Sequence, residues 1–330
     1  MKLGAYTACL HDHTLPDALD VLSGLGLTSA EVNSGGFIPS PHCPVDGLLA
    51  SAGQREEYLG IFAEKGVELT GLNCNGNPLN PLPGVGPKHA DDLRRTIQLA
   101  GRLGVEHVVT MSGSPGSDPD AKYPSWVVNA WDNVYMDVLD YQWSVAVPFW
   151  KEIDALARDN GVKVAIELHP QNLVFNVPTI ERLVEATGAT NVGVEMDTSH
   201  LMWQQMDVPT VIRRLGSLVY FAAAKDVALF DGVKTKGVLD NEFTRVPADD
   251  PDKVPTGYGH WCNAWPEDPA WRFVAVGVGH PVEYWVEVLR ALREVDPDIT
   301  VNIEHEDASM SVLDGLGAAA RTLHEAASRL

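Results

Sequence analysis

Short apolar runs alternate with longer stretches of helical spacing along nearly all of this chain. The sequence predicts strands at residues 2–7, 29–33, 67–73, 105–111, 163–168, 191–197, 218–224 and 300–304. Helical patterns fall between and after them, at 15–25, 54–65, 89–103, 149–160, 179–187, 208–215, 281–293 and 313–327. Proline is tolerated near a helix start, as at Pro16, and a helix is expected to stop at Gly104 and Gly161. Repeated strand-then-helix units of roughly 30–40 residues imply parallel strands joined by crossover helices, and eight of them close a (β/α)₈ barrel. The doubly wound open sheet is the rival. It would place G-x-G-x-x-G after the first strand, and none follows. The expected organisation is one barrel domain over residues 1–330.

Composition fits a large buried core, with 45% hydrophobic and 21% charged residues. The net charge of −21 repels phosphate backbones and anionic lipid, so neither nucleic acid nor a membrane is an expected partner. None of Cys9, Cys43, Cys74 and Cys262 forms a C-x-x-C pair, which points to reduced thiols. The opening residues lack the apolar stretch of a signal peptide, and no apolar run reaches the roughly 18 residues that span a bilayer. A cytoplasmic location is expected.

Two insertions interrupt the rhythm. One runs from 112 to about 147 and carries Trp126, Trp131 and Trp143; the other runs from about 227 to 279 and carries Tyr258, Trp261, Trp265 and Trp271. Long loops are uncommon without a purpose, and loops after the fourth and seventh strands hang over the C-terminal mouth, where barrel active sites lie. Their rings either stack on a substrate or pack the loops onto the barrel.

The chemistry is concentrated at strand ends. Strand five ends Ile166-Glu167-Leu168-His169, strand six Glu195-Met196-Asp197-Thr198-Ser199-His200, strand seven Ala223-Ala224-Lys225-Asp226, and strand eight Ile303-Glu304-His305-Glu306. A charge at the end of a buried strand is costly unless paired or metal-bound. Glu167, Asp197 and Glu304 are therefore candidate ligands of one divalent cation, with His200 the nearest imidazole. Carboxylates suit Mg²⁺ or Mn²⁺, and an added imidazole shifts the choice toward Mn²⁺, Co²⁺ or Zn²⁺. His169 lies two residues beyond Glu167, on the same face of a strand, and is a candidate general base. Glu306 stands in the same relation to Glu304. Lys225 balances substrate charge, holds an enolate oxygen, or forms a structural ion pair. His11, His13, Asn33, Asn73, Asn75 and Ser112 follow the first four strands, where they would suit hydroxyl recognition or local loop bonds.

Together the motifs "IELHP", "MDTSHL", "AAAKD" and "NIEHED", with "KLGAYTACLHD" and "AEVNSGGF" earlier, resemble the xylose isomerase-like barrel superfamily and its bacterial sugar phosphate isomerase/epimerase branch. The resemblance covers almost the whole chain and implies a metal held by Glu167, Asp197 and Glu304. It places a histidine ligand two residues before the Lys225-Asp226 pair, where this chain has Ala223, and another histidine often where Phe221 stands. His200 or water would fill the gap. The branch is also similar to the larger subunit of C-glycoside deglycosidases, metal-dependent lyases that release an aglycone from a 3-keto sugar.

The expected function is thus a Mn²⁺-type, metal-dependent enzyme that removes a proton beside the carbonyl of a keto sugar, with His169, Glu167 or Glu304 as base. Isomerase or epimerase is the first expectation and a carbon–carbon lyase acting on C-glycosides the alternative. The first goes with a homo-oligomer, the second with a small partner subunit. An abasic-site endonuclease would need clustered histidines and a basic groove. A non-catalytic sugar-binding protein would keep ligand affinity in Glu167→Ala.

Overall fold

The structure is a computed structural model that describes residues 1–257 and 259–330. Tyr258, one of the insertion aromatics, lies outside the described residues. Eight parallel strands close a barrel: β1 (Lys2–Tyr6), β2 (Ser29–Asn33), β3 (Glu68–Asn73), β4 (His107–Met111), β5 (Lys163–Glu167), β6 (Val192–Asp197), β7 (Val219–Ala224) and β8 (Thr300–Ile303). Closure is made by β8 pairing with β1, Lys2 opposite Thr300 through Ala5 opposite Ile303. Each strand expected from the sequence is present, trimmed by up to two residues at its ends.

Helices take the outer ring because their apolar stripes have only the sheet to cover them. Leu93, Ile97, Leu99 and Ala100 of the helix Gly86–Leu103 are buried. That helix ends as expected, since Gly104 has φ +73°, a left-handed conformation that a Cβ disfavours. The expected helix 149–160 is the second half of a 27-residue helix, Asn133–Asp159, which runs through Pro148. Pro148 and Ser144 both lie on the exposed face, so water can satisfy the carbonyl that proline leaves without a donor. The first insertion is therefore half helix.

Residues two apart on a strand share a face, and the barrel interior is layered accordingly. Val109, Ala165 and Phe221 form a small cluster separate from the main core and plug the barrel. Two residues beyond Ala165 and Phe221, toward the mouth, stand Glu167 and Ala223, and Asp197 of β6 lies at the same level. The register places Asp197 opposite Ala223.

The second insertion folds into an antiparallel ribbon, Asp226–Leu229 with Trp271–Val274, followed outward by a second small pairing, Pro255–Gly257 with His260–Trp261. Its aromatics hold it to the barrel. Trp271 stacks on Trp203 with centroids 5.2 Å apart and the rings 1° from parallel, and meets Trp265 and Phe273 edge-on at 4.9 and 5.3 Å. In the first insertion Trp126 packs edge-on to Phe175, and Arg182 lies over the Trp143 ring at 4.5 Å. The packing role accounts for these rings. All four cysteines are unpaired. Among the described residues no helix is long and apolar enough to cross a membrane.

Candidate metal centre

Four strand ends deliver ionisable groups to one point at the mouth. Glu167 ends β5 and Asp197 ends β6, Lys225 follows β7, and Glu304 follows β8. One oxygen each of Glu167, Asp197 and Glu304 lie within 4.8 Å of one another, and so do ligand atoms of Glu167, His169 and His200. Glu167 belongs to both groups. The sequence reading thus names residues that the fold brings together.

His200 sits in a one-turn helix, Thr198–Met202, and Asp197 is its N-cap. Asp197 Oδ1 accepts hydrogen bonds from Ser199 N and Ser199 Oγ, both at 2.7 Å. The other oxygen, Oδ2, is buried and has no hydrogen-bond partner. His200 is 1% exposed, and neither of its ring nitrogens has a hydrogen-bond partner. Its Nε2 nonetheless lies 3.1 Å from Glu167 Oε1 and 3.3 Å from Asp197 Oδ2. Donor–donor separations of that size are the edges of a coordination polyhedron whose metal–ligand bonds are roughly 2.0–2.2 Å. Buried donors without partners at these spacings fit a divalent cation. Glu167 is oriented from behind by Asn75, whose Nδ2 donates to Oε2 at 2.6 Å.

Lys225 brings positive charge to the site. Its Nζ is 3.0 Å from Glu304 Oε1, 2.9 Å from Glu306 Oε2 and 3.8 Å from Asp197 Oδ2. Phe273 of the ribbon covers it, with Nζ 4.3 Å from the ring centre, and also meets the His200 ring edge-on at 5.6 Å. Burial lowers the lysine pKa, but Glu304, Glu306, Asp197 and Glu167 outweigh it and hold the ammonium well above its usual range. Burial, only partly offset by His169 and Lys225, pushes Glu167 up to about 7. Burial also raises Asp197, but His200, Lys225 and Ser199 overcome it and leave the carboxyl below its usual range.

Burial lowers both imidazoles to about 4, with His200 adding to the effect on His169. Both are therefore neutral at pH 7 and carry a lone pair. In His169, Nδ1 lies 2.6 Å from the carbonyl oxygen of Pro170. A carbonyl only accepts, so Nδ1 holds the proton and Nε2 the lone pair. The two rings meet edge-on with centroids 4.3 Å apart.

A cavity of about 580 Å³ opens over Glu167, His169, Lys225, Glu304 and Glu306. Of the six polar residues expected after the first four strands, only Asn75 lines it. Asn33 holds its own loop by donating to the carbonyls of Ile38 and Pro39, Asn73 donates to Glu31, and Ser112 Oγ accepts from Val174 N. His11 packs against His42 with centroids 5.1 Å apart, and the His13 carbonyl accepts from His42. Two buried acids were not singled out from the sequence. Glu31 on β2 and Glu195 on β6 lie inside the barrel, each 1% exposed, and Glu195 Oε2 has no hydrogen-bond partner. Burial raises both, Glu31 to about 7. Glu195 precedes Asp197 by two residues, so the same-face rule that linked Glu167 to His169 was the available signal.

A family model described as xylose isomerase-like TIM barrel matches residues 20–327, and the chain belongs to that family. An uncharacterized protein of Bacillus subtilis (strain 168), YfiH, is 34% identical over 334 residues, covering 100% of both chains. Solved structures share the fold at low identity. The IolI protein with a bound zinc atom is 16% identical with a TM-score of 0.61, covering 100% of this chain and 99% of its own. The 3-keto-D-glucoside 4-epimerase YcjR from E. coli is 10% identical with a TM-score of 0.61, covering 99% of both.

Proposed function

We propose that the protein is a divalent-metal-dependent enzyme that enolises a keto sugar, of isomerase or epimerase type. The observation that carries this reading is His200 Nε2 standing 3.1 and 3.3 Å from two buried carboxylate oxygens without a hydrogen bond to either. Glu167, Asp197, Glu304 and His200 would hold the ion, with His200 in the part a strand-seven histidine would otherwise play. The mixed carboxylate and imidazole set favours Mn²⁺, with Co²⁺, Zn²⁺ and Mg²⁺ next. When bound, such an ion stabilises negative charge developing on a nearby carbonyl oxygen.

The rest falls to the chain's own groups. His169 Nε2 takes the proton from the carbon beside the carbonyl, and the C–H electron pair moves into the new carbon–carbon double bond as the oxygen becomes an enolate. Lys225, held protonated by its carboxylates, offsets the added negative charge. Returning the proton to the opposite face of the same carbon gives an epimer, and proton transfer to the neighbouring carbon gives an isomer. If the enolate pair instead expels a substituent from the next carbon, the same site is a lyase. The roomy cavity keeps this second reading alongside the first. The keto-sugar substrate is supported by YcjR, a 3-keto-D-glucoside 4-epimerase that shares the fold.

The test is metal analysis of the purified protein, then incubation with 3-keto glucosides and free ketoses in D₂O. Deuterium is expected at the carbon beside the carbonyl, dependent on Mn²⁺ and on His169. No uptake on any keto sugar overturns the reading.

A further inference from the structure

The cavity over the candidate metal centre has both ionisable and apolar lining. Its ionisable lining comes from the ends of β5, β7 and β8. Another part is built from the loop after β2, which gives Phe37 and Ile38, the end of β4, which gives Met111, and the second insertion, which gives Val254 and Pro255. Val254 is 59% exposed.

The two lips of this apolar part touch. Gly257 has φ +84°, and a Cβ built on it would lie 3.0 Å from the carbonyl oxygen of Phe37. The insertion tip therefore rests directly on the β2 loop through backbone, and a side chain at 257 would force them apart. At about 580 Å³ the cavity is within the roughly 300–1,000 Å³ range of sites that bury drug-sized ligands. Sugar hydroxyls gain nothing from Ile38, Val254 or Pro255, whereas an apolar substituent beside the sugar would lose its contact with water against them.

We infer that this wall is a binding subsite for an apolar substituent, so that the substrate is a glycoside with an alkyl or aryl group and not a free ketose. The inference rests on the keto-sugar reading for the position of the sugar, but its test needs no turnover.

The experiment is calorimetric titration of the Mn²⁺-loaded protein with methyl, butyl and hexyl β-D-glucosides, which lack the ketone. Each methylene that enters the wall is expected to raise affinity about fourfold. Ile38→Asn and Val254→Asn, both at partly or largely exposed positions, are expected to collapse the hexyl-to-methyl affinity ratio. A flat series in the parent protein, no binding of any glucoside, or a ratio untouched by both substitutions overturns the inference. A rising series with no deuterium uptake on keto sugars removes the proposed chemistry and leaves the subsite. Uptake with a flat series does the reverse.

Discussion

His200 Nε2 lies 3.1 Å from Glu167 Oε1 inside the barrel mouth, yet the two do not hydrogen-bond. A neutral imidazole that close to a carboxylate would normally turn to donate. Asp197 Oδ2 lies 3.3 Å from the same nitrogen and is also without a hydrogen-bond partner. Three donor atoms at this spacing, with His200 Nε2 and Asp197 Oδ2 unpartnered, suit a cation placed among them.

Replacing His200 with Ala is expected to weaken Mn²⁺ binding about 100-fold or more, as loss of a metal-site partner does. Ala223 faces the same interior opposite Asp197. Adding Ala223→His to His200→Ala is expected to restore part of the lost affinity. Metal titration of both variants checks this, and unchanged affinity in His200→Ala would remove His200 from the donor set.

Metal affinity should depend on pH. Glu167 in the metal-free protein is raised to about 7, so below that value a cation must displace its proton. The dissociation constant is expected to fall by at least about tenfold per unit as pH climbs toward 7, because burial also holds Glu304 well above its usual range and adds a second proton to displace. His200, lowered to about 4, is already neutral across this window and adds no proton release. Calorimetry in buffers of different ionisation enthalpy would count the released proton; no release at pH 6 contradicts the prediction.

Lys225→Met removes the buried ammonium that neutralises Glu304 and Glu306. The metal-free variant is expected to lose about 3–5 kcal/mol, the usual consequence of breaking a buried ion pair. Mn²⁺ should return part of this, because a divalent charge takes over the neutralisation. Urea unfolding with chelator and with Mn²⁺ measures both; an equal loss in the two conditions would show that the lysine and the cation do not share the carboxylates.

His169→Gln should separate base from ligand. Proton transfer by a positioned base contributes about 10²–10⁴-fold, so deuterium uptake is expected to fall by that factor while metal stoichiometry stays intact. Loss of metal in this variant would place His169 among the ligands, as its grouping with Glu167 and His200 allows.

The fold was legible because barrel strands alternate with helices, and few polar residues interrupt them. Glu167, Asp197 and Glu304 were legible because each is an acid at the end of an apolar run. Glu31 and Glu195 were harder to see because each sits within its strand, flanked by apolar neighbours. The start of the helix Asn133–Asp159 was missed because Pro148 reads as a boundary, and only its place on the solvent face makes it tolerable. The role of Phe273 could not be read, since it depends on a ribbon pairing of segments distant in sequence, Asp226 with Val274 through Leu229 with Trp271. Nothing local in the sequence encodes that return over Lys225.

Asp197 does two jobs with one carboxyl group, pinning the start of the helix that carries His200 through Oδ1 and leaving Oδ2 to the interior. The two roles are therefore tied together. Even the mild exchange Asp197→Glu would shift the backbone anchor and the imidazole in concert.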